Sequence, residues 1–205
     1  MELTDRQNDA LTELINIAFS RTAASLSELT NARIELDVPK VTICPVDELT
    51  TRLADFLPAE IASVHQVFTG TLTGDALLLL NYDGAVMLTD LLTDGVLHSR
   101  RLNESGREVL AEVGNILLNA CLGVFGNLLQ VRVSFSVPRL HLDTLNSMVR
   151  SLNVDKEQVR HALVIYTAFR LRDSEIRGYL VIALSLVSMD RLIQEIENWE
   201  ERQGI

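Results

Sequence analysis

The chain has 205 residues, of which 47% are hydrophobic, and this is enough for one sizeable core or for two fused halves. Its 18 Lys and Arg residues stand against 28 Asp and Glu residues, so the formal net charge is -10. Such a charge repels phosphate backbones and anionic membrane surfaces, which argues against nucleic-acid and membrane partners. The polar start MELTDRQNDA lacks the apolar core of a signal peptide, so we expect a cytoplasmic protein.

The first half of the chain predicts a long helix, a set of strands and a closing helix. Thr4 and Gln7 have the spacing of a capping box, and apolar residues recur at helical spacing through the stretch TELINIAF at 12–19. β-rich runs bounded by Gly, Asp or charged residues follow at 33–44, 64–70 and 76–82. A short helix between the first two runs and a helix at 85–92 complete this half.

The second half predicts the same order of elements. Ser105 and Glu108 have capping-box spacing, and the apolar positions from Leu110 to Leu128 follow a helical period. β-rich runs and a closing helix follow at 131–142, 162–169, 178–185 and 187–201. Each half therefore reads helix, strand, short helix, two strands, helix.

One uncharged stretch at 113–131 is long enough to span a bilayer. It contains amides that would be costly against lipid, namely Asn115, Asn119, Asn127 and Gln130. We therefore predict a core helix and no insertion into a membrane.

The cysteines and histidines do not predict a metal site. Cys44 and Cys121 have no ligand spacing, and in a cytoplasmic chain they are interpreted as two buried thiols. The histidines are scattered along the chain at His65, His98, His141 and His161. No zinc or iron site is expected from this spacing.

A Glu-x-x-Asn motif recurs at an offset of 99 residues, first as Glu13 and Asn16 and then as Glu112 and Asn115. Each Asn is followed 23 residues later by the Pro of a Val-Pro pair, at Val38-Pro39 and Val137-Pro138. The same motif at Glu28/Asn31 and Glu195/Asn198 has no such Pro and serves as a control. We interpret the Val-Pro pairs structurally, as strand ends that mark the repeat.

Each motif belongs to a polar stripe on its predicted helix, because positions i, i+3 and i+4 share one face. The two stripes consist of Asp9, Glu13, Asn16 and Ser20, and of Glu108, Glu112, Asn115 and Asn119. A solvated helix face would explain one stripe alone. Retention of Glu and Asn in both copies, among neighbours that have changed, favours a function.

The chain offers no evident nucleophile, since it has no Ser-His-Asp order, Gly-x-Ser-x-Gly elbow or Gly-rich phosphate loop. An Asn amide can still promote hydrolysis of an activated phosphate by holding a water in line with the phosphorus atom.

The repeated order of elements predicts one α/β domain with a pseudo-twofold duplication, made of repeats at about 1–99 and 100–205. We expect an antiparallel or mixed sheet with its helices on one side and the two long motif-bearing helices packed side by side.

The pattern Asp9-x-x-x-Glu13-x-x-Asn16, repeated as Glu112-x-x-Asn115 with its Pro spacing, resembles the CheC family of chemotaxis phosphatases, the group that includes CheX and FliY. The resemblance covers nearly the whole chain. It implies hydrolysis of the aspartyl phosphate on a CheY-type response regulator of two-component signalling.

The resemblance also implies roles for the motif residues. Asn16 and Asn115 would orient the attacking water, while Glu13 and Glu112 would dock against the active-site lysine of the regulator. Mg²⁺ would arrive with the phosphorylated regulator, so the chain would need no cofactor of its own. Family members also bind the receptor deamidase CheD, but no local signature in this sequence maps that surface.

Two alternatives stay open. The first is a non-catalytic regulator-binding scaffold related to the flagellar switch protein FliM, and the second is a duplicated domain with another ligand.

The chain departs from the family pattern at two positions. Ile15 stands where Gly is usual, and Glu108 stands where Ser or Asp is favoured, whereas the second copy keeps Gly114. If Ile15 leans toward the first stripe it would hold a partner off, which predicts that the second site does most of the work. If Ile15 instead joins the core, the first site is unobstructed.

Overall fold

A computed structural model describes residues 3–30, 33–37, 40–58, 60–93, 102–152, 160–171 and 174–203 of the chain. Within them one order of elements runs twice. The first run consists of α1 (Asp5–Thr30), β1 (Ile34–Leu36), β2 (Lys40–Pro45), a 3₁₀ turn (Val46–Glu48), α2 (Leu49–Ala54), β3 (Glu60–Gly70), β4 (Gly74–Asn81) and α3 (Tyr82–Leu92). The second consists of α4 (Glu104–Leu129), β5 (Val133–Phe135), β6 (Arg139–Thr144), α5 (Leu145–Ser151), β7 (Arg160–Leu171), β8 (Ser174–Ser185) and α6 (Leu186–Gln203).

Each run has two strands before its short helix, where the sequence predicted one. In the second run Pro138 lies between β5 and β6, since a Pro has no N–H for a strand ladder. Val38 and Pro39 lie outside the described residues, and so does the boundary between the predicted repeats 1–99 and 100–205. The division of the chain at that boundary stays a prediction.

The described strands form one antiparallel sheet in the order β1-β7-β8-β4-β3-β5, in which β2 also pairs with β7 and β6 also pairs with β3. The short strands of each run therefore pair with a long strand of the other run. At the centre of the sheet, β4 and β8 pair with Leu78 opposite Leu180. Because the two runs exchange strands in this way, neither completes the sheet alone.

The prediction that all helices lie on one side of the sheet is wrong. The helices α1, α3, α4 and α6 cover one face, and α2 and α5 cover the other. The physical reason is that neighbouring residues of the central strands are buried on opposite faces, as for Leu77 in the core under α2 and α5 and Leu78 in the core under α1 and α4. A strand that is apolar at every position, like the LLLL run of β4, belongs to a sheet covered on both faces.

The two long helices start with different caps. In α1 the predicted capping box is confirmed, because the Thr4 N–H donates to Gln7 Oε1 at 2.9 Å and the Gln7 N–H donates to Thr4 Oγ1 at 3.2 Å. In α4 the predicted box at Ser105 and Glu108 is wrong. Asn103 is the cap, since its Oδ1 accepts the Gly106 N–H at 2.8 Å. Asn is among the best N-cap residues, and this one starts the helix earlier than the predicted box would.

The long helices α1 and α4 pack side by side on one face of the sheet, as predicted. By length and composition α4 could cross a membrane, but its apolar residues Leu110, Leu118 and Leu129 are fully buried in the core. It is the core helix that its amides predicted. Cys44 and Cys121 are free and buried, which confirms that interpretation as well.

The described histidines do not gather into a metal site. His65 Nε2 lies 2.9 Å from Asp75 Oδ1, and the rings of His65 and His141 are 6.2 Å apart, whereas His161 is buried on another strand. Within the described ranges no group of three His, Cys, Asp or Glu side chains could hold a metal ion. His98 lies outside them.

Candidate functional site

The stripe on α1 faces away from the core. Glu13 is exposed and Asn16 is half-buried, while Leu11 and Leu14 on the opposite side of the helix are almost fully enclosed. The flanking stripe members Asp9 and Ser20 are exposed. A carboxylate in water thus sits one turn before an amide that lies partly under the surface.

The stripe on α4 has the same gradient. Glu108 and Glu112 are exposed, whereas Asn115 and Asn119 are half-buried. Because α1 and α4 lie side by side in one layer, both Glu/Asn pairs are carried on the same side of the sheet. A partner would meet the carboxylates first and the amides behind them.

A chain of hydrogen bonds holds the amide of Asn115. Asn119 Nδ2 donates to Asn115 Oδ1 at 2.6 Å, and Gln66 Nε2 donates to Asn119 Oδ1 at 3.2 Å. Gln66 Nε2 also donates to the backbone oxygen of Ser136 at 2.8 Å. Gln66 is itself buried, on a strand of the first run, so this site is assembled from both halves of the chain.

Among the described residues, no comparable hydrogen bonds hold the side-chain amide of Asn16. Ser20 stands at the position of α1 that corresponds to Asn119, and it is exposed. Asn16 Oδ1 is buried and has no hydrogen-bond donor among the residues that the structure describes. The two sites therefore share their motif but differ in what holds the amide.

The acidic side chains of both stripes are available to a partner. In the part of the chain that is described, Glu13 and Glu112 have neither an ion pair nor a hydrogen bond to another side chain. Asp9 and Glu108 add two more exposed carboxylates to the same faces. This surface attracts a cationic group and repels a bare phosphate.

The expectation that Ile15 leans toward the first stripe is wrong. Ile15 is fully buried with Leu14 and Ala18, as the alternative interpretation held. Gly114, at the corresponding position of α4, is also buried, and a Cβ there would lie 2.6 Å from Cβ and Cγ1 of Val64. Gly114 thus lets α4 approach β3 closely. The difference between Ile15 and Gly114 belongs to the packing of the helices on the sheet and does not obstruct docking.

Sequence reasoning missed Gln66 and Ser136. The available signal was a Gln at an inward position of the apolar strand VHQVFTG, where a buried amide needs partners. Ser136 lies directly before Val137-Pro138, and its Oγ accepts the Val67 N–H at 3.0 Å. The segment of the second Val-Pro pair is therefore tied to the strand that carries Gln66.

Two curated proteins of Bacillus subtilis resemble the chain in sequence. The CheY-P phosphatase CheC is 25% identical over 199 residues, which cover 93% of this chain and 93% of CheC. The flagellar motor switch phosphatase FliY is 24% identical over 143 residues, which cover 69% of this chain and 37% of FliY. The chain thus matches little more than a third of FliY but nearly all of CheC.

Solved structures share the fold. Thermotoga maritima FliY superposes with a TM-score of 0.76 at 19% identity, covering 98% of this chain and 99% of that one. The FliM middle domain from H. pylori gives a TM-score of 0.66 at 12% identity, covering 94% and 99%. At these identities the comparison establishes the architecture only. No protein-family model matches the chain. The sequence likeness to CheC and FliY over this common fold shows that the chain is homologous to the CheC-family phosphatases.

Proposed function

We propose that the chain is a chemotaxis hydrolase that removes the aspartyl phosphate from a CheY-type response regulator. The observation that carries the proposal is the pair of Glu/Asn motifs on α1 and α4, each with a free, exposed carboxylate and a half-buried amide. The homology to CheC supports the reaction class.

The reaction needs positioning more than a nucleophile. Water attacks the phosphorus atom, the bond between phosphorus and the carboxylate oxygen breaks, and inorganic phosphate leaves with the regulator's Asp restored. Asn16 and Asn115 would hold that water in line by hydrogen bonds, which can lower the barrier by several kcal/mol, on the order of 7 to 11 in favourable cases. Because an acyl phosphate is already activated, no acid, base or covalent intermediate on this chain is required.

Glu13 and Glu112 would dock the partner. An exposed carboxylate without a competing ion pair can bind a lysine ammonium that the regulator presents beside its phosphorylated Asp. The -10 net charge of the chain makes such a cationic contact selective, because a partner without a positive patch is repelled. Mg²⁺ would enter with the regulator, and the proposal gives the chain no cofactor of its own.

The setting of this activity is the cytoplasm, where a regulator is phosphorylated, and CheD is proposed as a second partner through the family resemblance alone. The competing function is a FliM-type scaffold that binds the regulator and leaves its phosphate in place. The fold cannot separate the two, since FliM shares it. The duplicated Glu/Asn motif favours the enzyme, because a scaffold has no need of a water-holding amide in both copies.

Phosphate release separates the two functions. Phosphorylated regulator is mixed with one hundredth of its concentration of the chain, and inorganic phosphate is followed over time while binding is measured in parallel. A phosphatase releases many equivalents of phosphate per chain. A scaffold binds the regulator but leaves its decay at the rate seen without the chain, and that result would reject the proposal.

A further inference from the structure

We infer that Gln66 and Asn119 are positioning residues that fix the orientation of the Asn115 amide and make the α4 site the more active of the two. This inference rests on the proposed function. It concerns the hydrogen bonds behind the motif, which the sequence likeness to phosphatases does not specify.

The orientation of each amide follows from a backbone anchor. The Ser136 N–H donates to the Val67 oxygen at 2.9 Å, and Ser136 Oγ accepts the Val67 N–H, so β3 holds this segment through the backbone of one residue. The Ser136 carbonyl can only accept a hydrogen bond. The end of the Gln66 side chain beside it must therefore be the amino group.

The same reasoning determines which end of the Asn119 and Asn115 side-chain amides is the amino group and which is the oxygen. The second proton on Gln66 Nε2 goes to Asn119, which must present its oxygen there and its Nδ2 to Asn115. Asn115 then presents its oxygen inward and its Nδ2 outward. Asn115 Nδ2 has no acceptor within the described residues, so it is free to donate to a water or to a phosphoryl oxygen.

This arrangement is kept although it leaves a buried group unsatisfied. Gln66 Oε1 is buried without a hydrogen-bond donor among the residues described. Rotating the Gln66 amide would place that oxygen against the Ser136 carbonyl and break the donation to Asn119. The two donations of Gln66 Nε2, to Ser136 and to Asn119, outweigh this one unpaired acceptor, so the Gln66 amide keeps its orientation.

Within the described part of the chain, the α1 site has no hydrogen-bond network of this kind behind its Asn. Ser20 is exposed and stands where α4 has Asn119, and the buried Asn16 Oδ1 has no described donor. The Asn16 amide therefore gains by turning away from its buried position, whereas Asn115 is held in one orientation. For a reaction that depends on placing a water, this difference predicts unequal sites.

The test uses the full chain in an Asn16→Ala background, so that only the α4 site contributes, and follows phosphate release from phosphorylated regulator. Three variants are added singly: Asn119→Ser, which copies the α1 sequence; Asn119→Asp, which keeps the shape and the acceptor but removes the donor; and Asn115→Ala, as the inactive reference. Asn127→Ala is the matched control, because Asn127 is an exposed amide on the same helix.

We expect the background to retain most of the wild-type activity and Asn127→Ala to leave it unchanged. Both Asn119 variants should lower kcat by about tenfold to a hundredfold with KM within about twofold, since the regulator still docks on Glu112. Side-chain ¹⁵N relaxation should show the Asn115 amide losing order in both variants, a readout that does not depend on activity.

Provided that Asn115→Ala loses activity, the positioning role would be overturned if the Asn119 variants kept kcat within about twofold or changed KM alone. An inactive Asn16→Ala background would overturn the ranking of the sites. Activity in the Asn16→Ala/Asn115→Ala chain would reject the water-holding role of the asparagines, whereas a wild-type chain that does not accelerate phosphate release would reject the proposed function itself. If Asn119→Ser fails to fold, two near-isosteric variants test the positioning role in its place. They are Asn119→Asp and Gln66→Glu, and the second removes the Nε2 donor to Asn119 and Ser136.

Discussion

Replacing Gly114 with Ala should destabilise the protein although Ala is the better helix former. The added Cβ would lie 2.6, 2.6 and 2.7 Å from Cβ, Cγ1 and Cγ2 of Val64, roughly an ångström inside normal carbon contact. Val64 is 1% exposed and lies on an internal strand, so it has no room to retreat. Overpacking of this kind costs typically 1–3 kcal/mol, in this case at or above the upper value, against roughly 1 kcal/mol gained in helix propensity.

The expected net loss for Gly114→Ala is about 2 kcal/mol, which lowers the midpoint of thermal unfolding by about 4–8 °C in a chain of this size. Gly123→Ala is the matched control on the same helix, because nothing lies within 4 Å of a Cβ placed there. That variant should gain up to about 1 kcal/mol and unfold about 2–4 °C higher than the wild type.

Differential scanning calorimetry of the two variants and of Val64→Ala/Gly114→Ala tests the reasoning. The double variant removes two of the three close carbons, so its loss should be smaller than the sum of the two single losses. Equal stabilisation by Gly114→Ala and Gly123→Ala would refute the close approach of α4 to β3. It would also leave the Gly of the second copy without a role in packing.

Three further outcomes are expected. Asn103→Ala should lower the free energy of unfolding, measured in urea, by about 1 kcal/mol because it removes the cap of α4. Ser105→Ala, at the cap position that the sequence suggested, should change it by less than about 0.5 kcal/mol, and equal effects would contradict the cap assignment. Burial raises the pKa of both cysteine thiols, so a thiol reagent at pH 8 should modify them only as fast as the protein unfolds, and rapid reaction of the native chain would contradict their burial. The Ser147 hydroxyl and the Thr144 N–H both donate to the Asp143 carboxylate and lower its pKa. The two bonds therefore stabilise the fold above the ordinary pKa of 3.8, and this stabilisation is lost as pH falls through the lowered pKa. A carboxyl ¹³C titration of Asp143 with its midpoint at or above 3.8 would contradict these bonds.

The long helices and the strands of the core could be read from the sequence because their signals are local. Helical spacing of apolar residues predicted α1 and α4, and β-rich runs bounded by Gly, Asp or charged residues predicted the long strands. The pairing of β2 with β7 and of β6 with β3 could not be read, since it joins residues far apart in the chain. The side of the short helices was predicted wrongly for a different reason: the LLLL run of β4 indicates a sheet covered on both faces, and the prediction did not use it.

The candidate site divides in the same way. Glu112 and Asn115 share a face by helix geometry alone, so the stripe was predictable. Gln66 reaches Asn119 across 53 residues and Ser136 across 70, and only the folded sheet brings them together. Ile15 marks a different limit: a residue beside the stripe is about 100° around the helix, and the period alone does not say whether it faces a partner or the core.

The central claim is that duplicated asparagines hold the attacking water, and single-turnover dephosphorylation tests it most directly. Excess chain is mixed with phosphorylated regulator, and the first-order rate of phosphate release is compared for the wild type and for Asn16→Ala/Asn115→Ala, with circular dichroism to show that both are folded. Asn16→Ala should change stability by about half a kcal/mol, and Asn115→Ala should cost about 0.5–1.5 kcal/mol because it also removes the acceptor of the Asn119 amide. The account predicts that the wild type accelerates release and that the folded double variant leaves the regulator at its own rate of decay. Undiminished release by the folded double variant would contradict it.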